Sequence, residues 1–413
     1  MTQRLVTALC LLLFVAEAVH TQELKFGLEA EARYSAFQHD MVPKERTDLE
    51  TRVMPTIWWD TNYRNTSRLL VRPVFRFGSP DYYSSLKFKN DYGDRARISC
   101  REFSHRMWWR DSGLDTGKSI RKGRIAFDFI NLHPSASFDA SEPFSVLEEE
   151  NQVGVWGMTF WFNDGAVRLG GEINWESNFP VVAEHPDNRW TAPLPLGLSY
   201  GDPIREQELG FSATFSWKAG ISGEIVFYRG SANFPDHAEL RDTSIRLVFP
   251  EIQSATIALE LSQFGGATRF GVAPTLQKGA EDFAPWIVEQ DWIFESLLRR
   301  GDNLYLSLGV ADVWVLKRND ISDPSLDVRR TYEGGTALGT VEYEPVEQLL
   351  IRATGLYNFD VTAFYVAPEF EFGPRHDFKI SLRAELIGSK EPGNVFYANR
   401  LNDRLMVRMK YSY

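Results

Sequence analysis

A transmembrane antiparallel β-barrel of about 16–18 strands is the fold this sequence predicts. Three observations predict it. The first is a two-sided alternation that recurs along the chain and is clearest at its end: Leu405, Val407, Met409, Tyr411 and Tyr413 face one side of an extended backbone, and Arg404, Arg408, Lys410 and Ser412 the other. The second is composition. Aromatic residues make up 14% of the chain, yet its mean hydropathy is -0.29, the sum expected of one lipid face and one wet face. The third is that, past the N-terminus, no run approaches the roughly 18 uninterrupted apolar residues of a spanning helix.

The N-terminus reads as an export signal. Arg4, the apolar run Leu5 to Val15 and Ala16-Glu17-Ala18 are its positive, apolar and small-residue zones, which divides the chain into a signal peptide, 1–18, and a barrel, 19–413. Cleavage there removes Cys10 and leaves Cys100 alone, so no intramolecular disulfide is expected. The net charge of -11 argues against a nucleic-acid partner.

The strands follow in order. Leu24, Phe26, Leu28 and Tyr34 alternate with Lys25, Glu29, Glu31 and Arg33, a pattern that a helix would scatter around its circumference. Val53 to Trp59 and Leu69 to Phe77 continue it, the latter weakened by Pro73, which cannot donate to a ladder. Ile98 to Arg110 and Ser119 to Ile130 alternate less. Gln152 to Asn163 is apolar on both faces, as a strand beside an interior constriction would be. Asn163-Asp164-Gly165 is a tight-turn signal before Val167 to Glu176. Asn178 to Pro203 holds five of the 20 prolines and reads as a long ordered loop, a candidate constriction or cap. Glu208 to Lys218 and Ile221 to Arg229 flank the short turn Ala219-Gly220, placed at the periplasmic end. Further strands are expected at Thr243–Pro250, Ala255–Phe264, Trp286–Glu295, Asn303–Leu316, Thr336–Glu344, Gln348–Phe359, Ala363–Phe372, Asp377–Ile387 and the terminal stretch.

Part of the chain, roughly Gly117 to Leu316, resembles a known family. Lys122-Gly123-Arg124, then Asn131-Leu132-His133-Pro134, then Phe179-Pro180 with Asn188-Arg189-Trp190, then Tyr228-Arg229-Gly230 and Pro235 look like Gram-negative outer-membrane porins of the alginate-export superfamily, in particular barrel proteins found beside envelope exporters. Ile125-Ala126-Phe127 stands where that family has Trp-Gly after its Gly-Arg element. The resemblance implies a barrel channel and no particular substrate.

Charges on the polar faces are the candidate pore-lining residues: Arg72, Arg76, Arg168, Glu172, Arg352, Glu369, Glu371, Lys379, Arg383, Glu385, Arg404 and Arg408. They either form a charged constriction or neutralise one another across neighbouring strands. Facing lipid instead, such charges would cost roughly 2–4 kcal/mol each at the midplane. Trp58-Trp59 and Trp108-Trp109 read either as platforms for sugar rings in a carbohydrate channel or as girdle residues; neighbours on a strand point to opposite faces, which puts one ring of each pair in a membrane-interface girdle. Tyr411 and Tyr413 form an expected assembly signal, read by barrel-assembly machinery in proteins that look like this. The histidines lack ligand spacing and the acidic loops read as solvated, so neither metal nor cofactor is expected. With no nucleophile motif and no P-loop, an enzyme is not expected either; Ser135 and Ser137 beside His133-Pro134 read as turn chemistry. The expected function is an outer-membrane channel for hydrophilic or amphipathic solutes, with membrane lipid and a periplasmic or surface protein as partners. The alternative is a barrel scaffold or sheath around partner proteins.

Overall fold

The structure is a computed structural model. It describes residues 23–38, 47–60, 67–77, 96–120, 137–140, 152–175, 181–182, 197–200, 208–217, 220–231, 237–241, 244–248, 251–263, 266–278, 283–297, 303–315, 334–375, 377–391 and 395–413. The alternating stretches become one antiparallel sheet of 18 strands. These are β1 Glu23–Phe37, β2 Thr47–Asp60, β3 Ser67–Phe77, β4 Ala96–Trp109, β5 Ser112–Ser119, β6 Val155–Asn163, β7 Val167–Asn174, β8 Glu208–Trp217 and β9 Ile221–Ser231. The second half holds β10 Glu251–Gln263, β11 Gly266–Lys278, β12 Phe283–Leu297, β13 Leu304–Val315, β14 Gly334–Val346, β15 Leu349–Asn358, β16 Ala363–Arg375, β17 Phe378–Ser389 and β18 Arg404–Ser412.

Each strand pairs with its neighbours in sequence, and β18 pairs with β1 from Glu29↔Ser412 to Phe37↔Arg404, which closes the sheet into a barrel. Tyr413 and Leu28 exchange backbone hydrogen bonds of 2.8 and 2.9 Å and lengthen this seam. Closure leaves no edge carrying unpaired N–H and C=O groups, the condition for a sheet within lipid.

The connections alternate between two ends. At one end run 61–66, 110–111, 164–166, 218–220, 264–265, 298–303, 347–348 and 376–377, together with both termini of the sheet. The longest connections, among them 78–95, 120–154, 175–207 and 232–250, leave from the other. In the 164–166 turn, Gly165 has φ 95° and the Asp164 carboxylate accepts from the N–H groups of Val167 (2.8 Å) and Ala166 (3.1 Å). Those hydrogen bonds, the Val167 one foremost, hold the Asp164 carboxyl below the usual carboxylate range.

Three long connections are stitched to one another by backbone ladders. Ser137–Ala140 pairs antiparallel with Gln152–Val153 and parallel with Val181–Val182. Gly197–Tyr200 pairs parallel with Ser244–Val248, which pairs antiparallel with His237–Arg241. The segment 175–207 is thus bonded both to the connection before it and to the one after.

Two expected strands differ. Thr243–Pro250 does contain a strand, Ser244–Val248, but it belongs to this stitching and not to the barrel. The barrel position is taken by Gly266–Lys278, whose glycines and Pro274 obscure its alternation and whose register shifts between Thr275 and Leu276. The strand expected over Ser119–Ile130 is Ser112–Ser119 instead; 121–130 lie outside the described residues, as does the expected signal segment 1–18. Pro73 sits where the β3–β4 register shifts, between Arg72 and Pro73, so the missing donor falls in an irregularity.

The faces sort as the alternation demands. Phe26 (61% exposed), Trp109, Phe162, Ile257, Leu308, Phe370 and Leu405 point outward, so among the described residues the outer face of the barrel is apolar, as a lipid-facing surface is. Trp59 and Trp109 are the outward members of their pairs and stand near the short-turn end, where a girdle belongs. Inside, the short helix α1, Val395–Asn399, lies in the β17–β18 connection, and Phe396 packs with Phe37, Ala363, Tyr365, Ala367 and Ile387. This is an apolar knot on the interior wall of β16, β17 and β1 at the long-connection end.

Gly117 has φ 112°, and a Cβ there would fall 2.3 Å from the carbonyl oxygen of Phe103 on the paired strand. Gly165 has φ 95° but open space around it. Gly117→Ala is expected to cost about 3 kcal/mol or more and Gly165→Ala about 1–2 kcal/mol. Urea midpoints followed by tryptophan fluorescence in detergent check the order; equal midpoints would contradict it.

Candidate functional site

Antiparallel register sets interior residues of adjacent strands opposite one another, so opposite charges at matched positions become cross-strand pairs. From β14 to β17, Glu342, Arg352, Glu369 and Arg383 occupy one row. Arg352 donates to Glu342 at 2.6 Å and reaches Glu369 at 3.7 Å, while Arg383 lies 4.0 Å from Glu369 and 3.1 Å from Glu385. Arg404 donates to Glu385 at 2.7 Å. Tyr365 donates its hydroxyl to Glu385 (3.1 Å) and accepts from Arg383 (2.8 Å). Lys379 pairs with Glu371 at 2.6 Å.

The ladder crosses the seam. Arg408 reaches Glu31 at 3.2 Å and Lys410 reaches Glu29 at 3.4 Å, both from β18 to β1. Arg52 then meets Glu31 at 2.7 Å, Arg33 meets Glu50 at 2.5 Å, and Arg72 meets Glu102 at 2.7 Å. Alternating charge therefore runs across the interior from β14, through the closure, to β4.

Within this band the predicted residues fall into two groups. Glu369, Arg383, Glu385 and Arg404 are buried beside the α1 knot, the Arg404 and Glu385 side chains each 4% exposed. Charges so desolvated hold their strands together and offer little surface to a solute. Arg352 and Lys379 keep 37% and 47% of their side-chain surface, and Arg72 and Glu371 keep 24% and 22%. Arg408 is half-buried in its pair with Glu31. Arg76 stands opposite Arg52 in the β2–β3 register, and its side chain lies outside the described residues.

Arg168 and Glu172 stand on the far wall, on β7, beside an interior recess of about 360 Å³. Its lining includes Arg106, Asp115, Thr159, Trp161, Ser212, Thr214 and Glu224; the Glu172 side chain packs over Gly210 and the Ser212 hydroxyl over Gly170. Arg106 donates twice to Asp115, at 3.2 and 2.8 Å. The sequence reading missed Asp115, Glu224 and Glu342 as members of this chemistry. Glu342 had a signal, since it shares the polar face of its strand, but Asp115 and Glu224 sit among glycines, serines and threonines where alternation is faint. Among the described residues, no three His, Cys, Asp or Glu side chains are grouped as metal ligands would be.

Removing a carboxylate shared by two buried arginines leaves both short of their partner, whereas removing one arginine leaves the carboxylate with the other. Glu385→Leu is expected to lower stability by about 3 kcal/mol or more, and Arg404→Met, which leaves Glu385 with Arg383 and Tyr365, by less than that. Unfolding midpoints in urea check this; Arg404→Met unfolding earlier than Glu385→Leu would contradict it.

No protein-family model matches the chain, and no curated protein matches it. Solved structures do. The chain is similar to Acinetobacter baumannii OccAB2 (TM-score 0.58, 9% identity, 95% of this chain and 98% of that one). It is also similar to Pseudomonas aeruginosa OccK2, OpdF (0.56, 10%, 95% and 97%), and to Pseudomonas aeruginosa OpdK, solved with vanillate (0.55, 12%, 95% and 98%). These neighbours are Gram-negative outer-membrane porins, and at such identities the likeness is one of fold. These structures do not test the likeness to the alginate-export superfamily in particular; of the residues that carried it, 122–134, 179–180 and 188–190 lie outside the described residues. The chain has the fold of a porin-type transmembrane β-barrel.

Proposed function

We propose that the chain is an outer-membrane channel that lets small hydrophilic solutes pass along a charged interior, and that it is not an enzyme. The observation that carries this reading is the division of the wall into an apolar exterior and an interior of mixed charge, with the recess on one side and accessible Arg72, Arg352, Glu371 and Lys379 on the other. The porin fold of the neighbours supports it. In this reading residues 1–18 are the export signal, the long connections face outward from the cell, and the stitched segment 175–207 narrows the mouth. The buried charges from Glu369 to Arg404 keep the wall rigid, and the accessible ones meet solute.

Purified protein in planar bilayers is expected to give discrete conductance steps, and Arg352→Glu with Lys379→Glu to shift selectivity toward cations. Absence of steps at every voltage would overturn the channel.

Tyr411 and Tyr413 lie at the short-turn end of the closing strand, 36% and 80% exposed, where an assembly factor could read them. Tyr411→Ser with Tyr413→Ser is expected to lower the amount of folded barrel in the outer membrane several-fold before any change in unitary conductance. Normal membrane levels would refute the signal.

A further inference from the structure

One patch of the inner wall is apolar where its surroundings are charged. Phe37 on β1, Ala363, Tyr365 and Ala367 on β16, Ile387 on β17 and Met406 on β18 lie in it, Ala363 and Tyr365 at 0% exposure and none above 4%. Their outward neighbours Phe364, Val366, Leu386 and Leu405 are all exposed. A barrel of 16–18 strands encloses water, so inner-wall side chains this dry are covered from the lumen. Left bare, they would set an apolar surface against that water.

The cover is the connection between β17 and β18. Phe396 and Asn399, one turn apart on α1, are both buried, and Phe396 packs on the patch. Tyr397 and Arg400, one turn apart on the next face of α1, keep part of their surface, and the Arg400 guanidinium lies 3.7 Å from the centre of the Tyr397 ring. The segment is pinned where it rejoins the wall. The Asp403 carboxylate accepts from the Ile387 N–H at 2.7 Å, and the Asp403 carbonyl from the Gln38 N–H at 2.8 Å. Asn402 donates to Asn399 twice, from its backbone at 2.8 Å and from its side chain at 3.0 Å. The cover also has an edge. Toward the short turns on the same two strands, Glu371 and Lys379 regain accessible surface, so the wall is wet again below it.

A segment fixed across the inner wall removes its own cross-section from the lumen. We propose that residues 395–403 form a built-in plug that narrows the passage from the β16–β18 side and limits the size of the solute that crosses, with Phe396 as its anchor and Tyr397 and Arg400 as the face that solute meets. The inference rests on the channel reading and adds a limit of size to it.

Two measurements on protein extracted from outer membranes, in a Cys100→Ser background, separate the plug from the channel. The first compares reaction of Ala367→Cys, under the cover, and Lys379→Cys, beyond it, with a methanethiosulfonate reagent in detergent, which requires no conduction. Ala367→Cys is expected to react at least about tenfold more slowly, and to lose most of that protection when Phe396→Ser is added or when 395–401 is replaced by a shorter Gly-Ser link. The second is planar-bilayer recording in potassium chloride with polyethylene glycols of increasing size. The shorter link is expected to raise unitary conductance roughly 1.5- to threefold and to admit larger polymers, and Phe396→Ser to do so less. Equal reaction rates at the two cysteines overturn the plug whatever the conductance. Protection with a conductance and a polymer cut-off that the shorter link leaves unchanged overturns the plug and spares the channel. Steps seen only with the shorter link uphold the plug and overturn an open native channel. Absence of steps in every variant overturns both.

Discussion

Backbone hydrogen bonding at the seam is the constraint on which the rest of this structure depends. Within hydrocarbon an unpaired N–H or C=O costs several kcal/mol, so a sheet there must close on itself. The 18 strands do so through β18, which pairs with β17 on one side and β1 on the other. Side-chain order follows from that closure. Once the register is set, outward positions must be apolar and inward ones are free to be charged, and a slip of one residue would reverse every face.

Inward freedom has been used unevenly. From β14 across the seam to β4 most of the described charges are paired across strands, although Arg52 stands opposite Arg76 in the register, and those nearest the α1 knot are buried. From β4 to β9 the interior is built largely of glycine, serine and threonine around the Arg106–Asp115 pair, Arg168, Glu172 and Glu224, with the Trp161 ring over Gly113. One side of the wall thus resembles a braced frame and the other a shallow dish. The stitched connections above the dish add a further asymmetry, since 175–207 is bonded to both of its neighbours and cannot shift without them.

Much of the fold was legible because period-two alternation is a local signal. It identified most barrel strands, the closing strand and the tight turn at Asn163-Asp164-Gly165. It failed where the signal is weakest: Gly266–Lys278 carries Pro274 and the glycines Gly266 and Gly271, and Ser244–Val248 is a strand whose partner lies in another connection, which no local pattern reveals. The site was legible as a list of polar-face charges and no further. Which of them are buried depends on α1 folding back against Tyr365 and Phe37, a contact between segments far apart in sequence. That the Trp161 ring reaches across β5 depends on the absence of a side chain at Gly113, a residue on another strand.

The seam also carries a consequence for how the molecule comes to exist. Glu29 and Ser412 are partners, so the pairing that completes the barrel joins residues separated by nearly the whole chain. Contacts of that separation form late, because the ordering they require precedes any reward. Until β18 arrives, β1 and β17 each keep an open edge, and a nearly complete sheet with two open edges is a template for the wrong partner. The state most exposed to aggregation is therefore the one a single strand short of native.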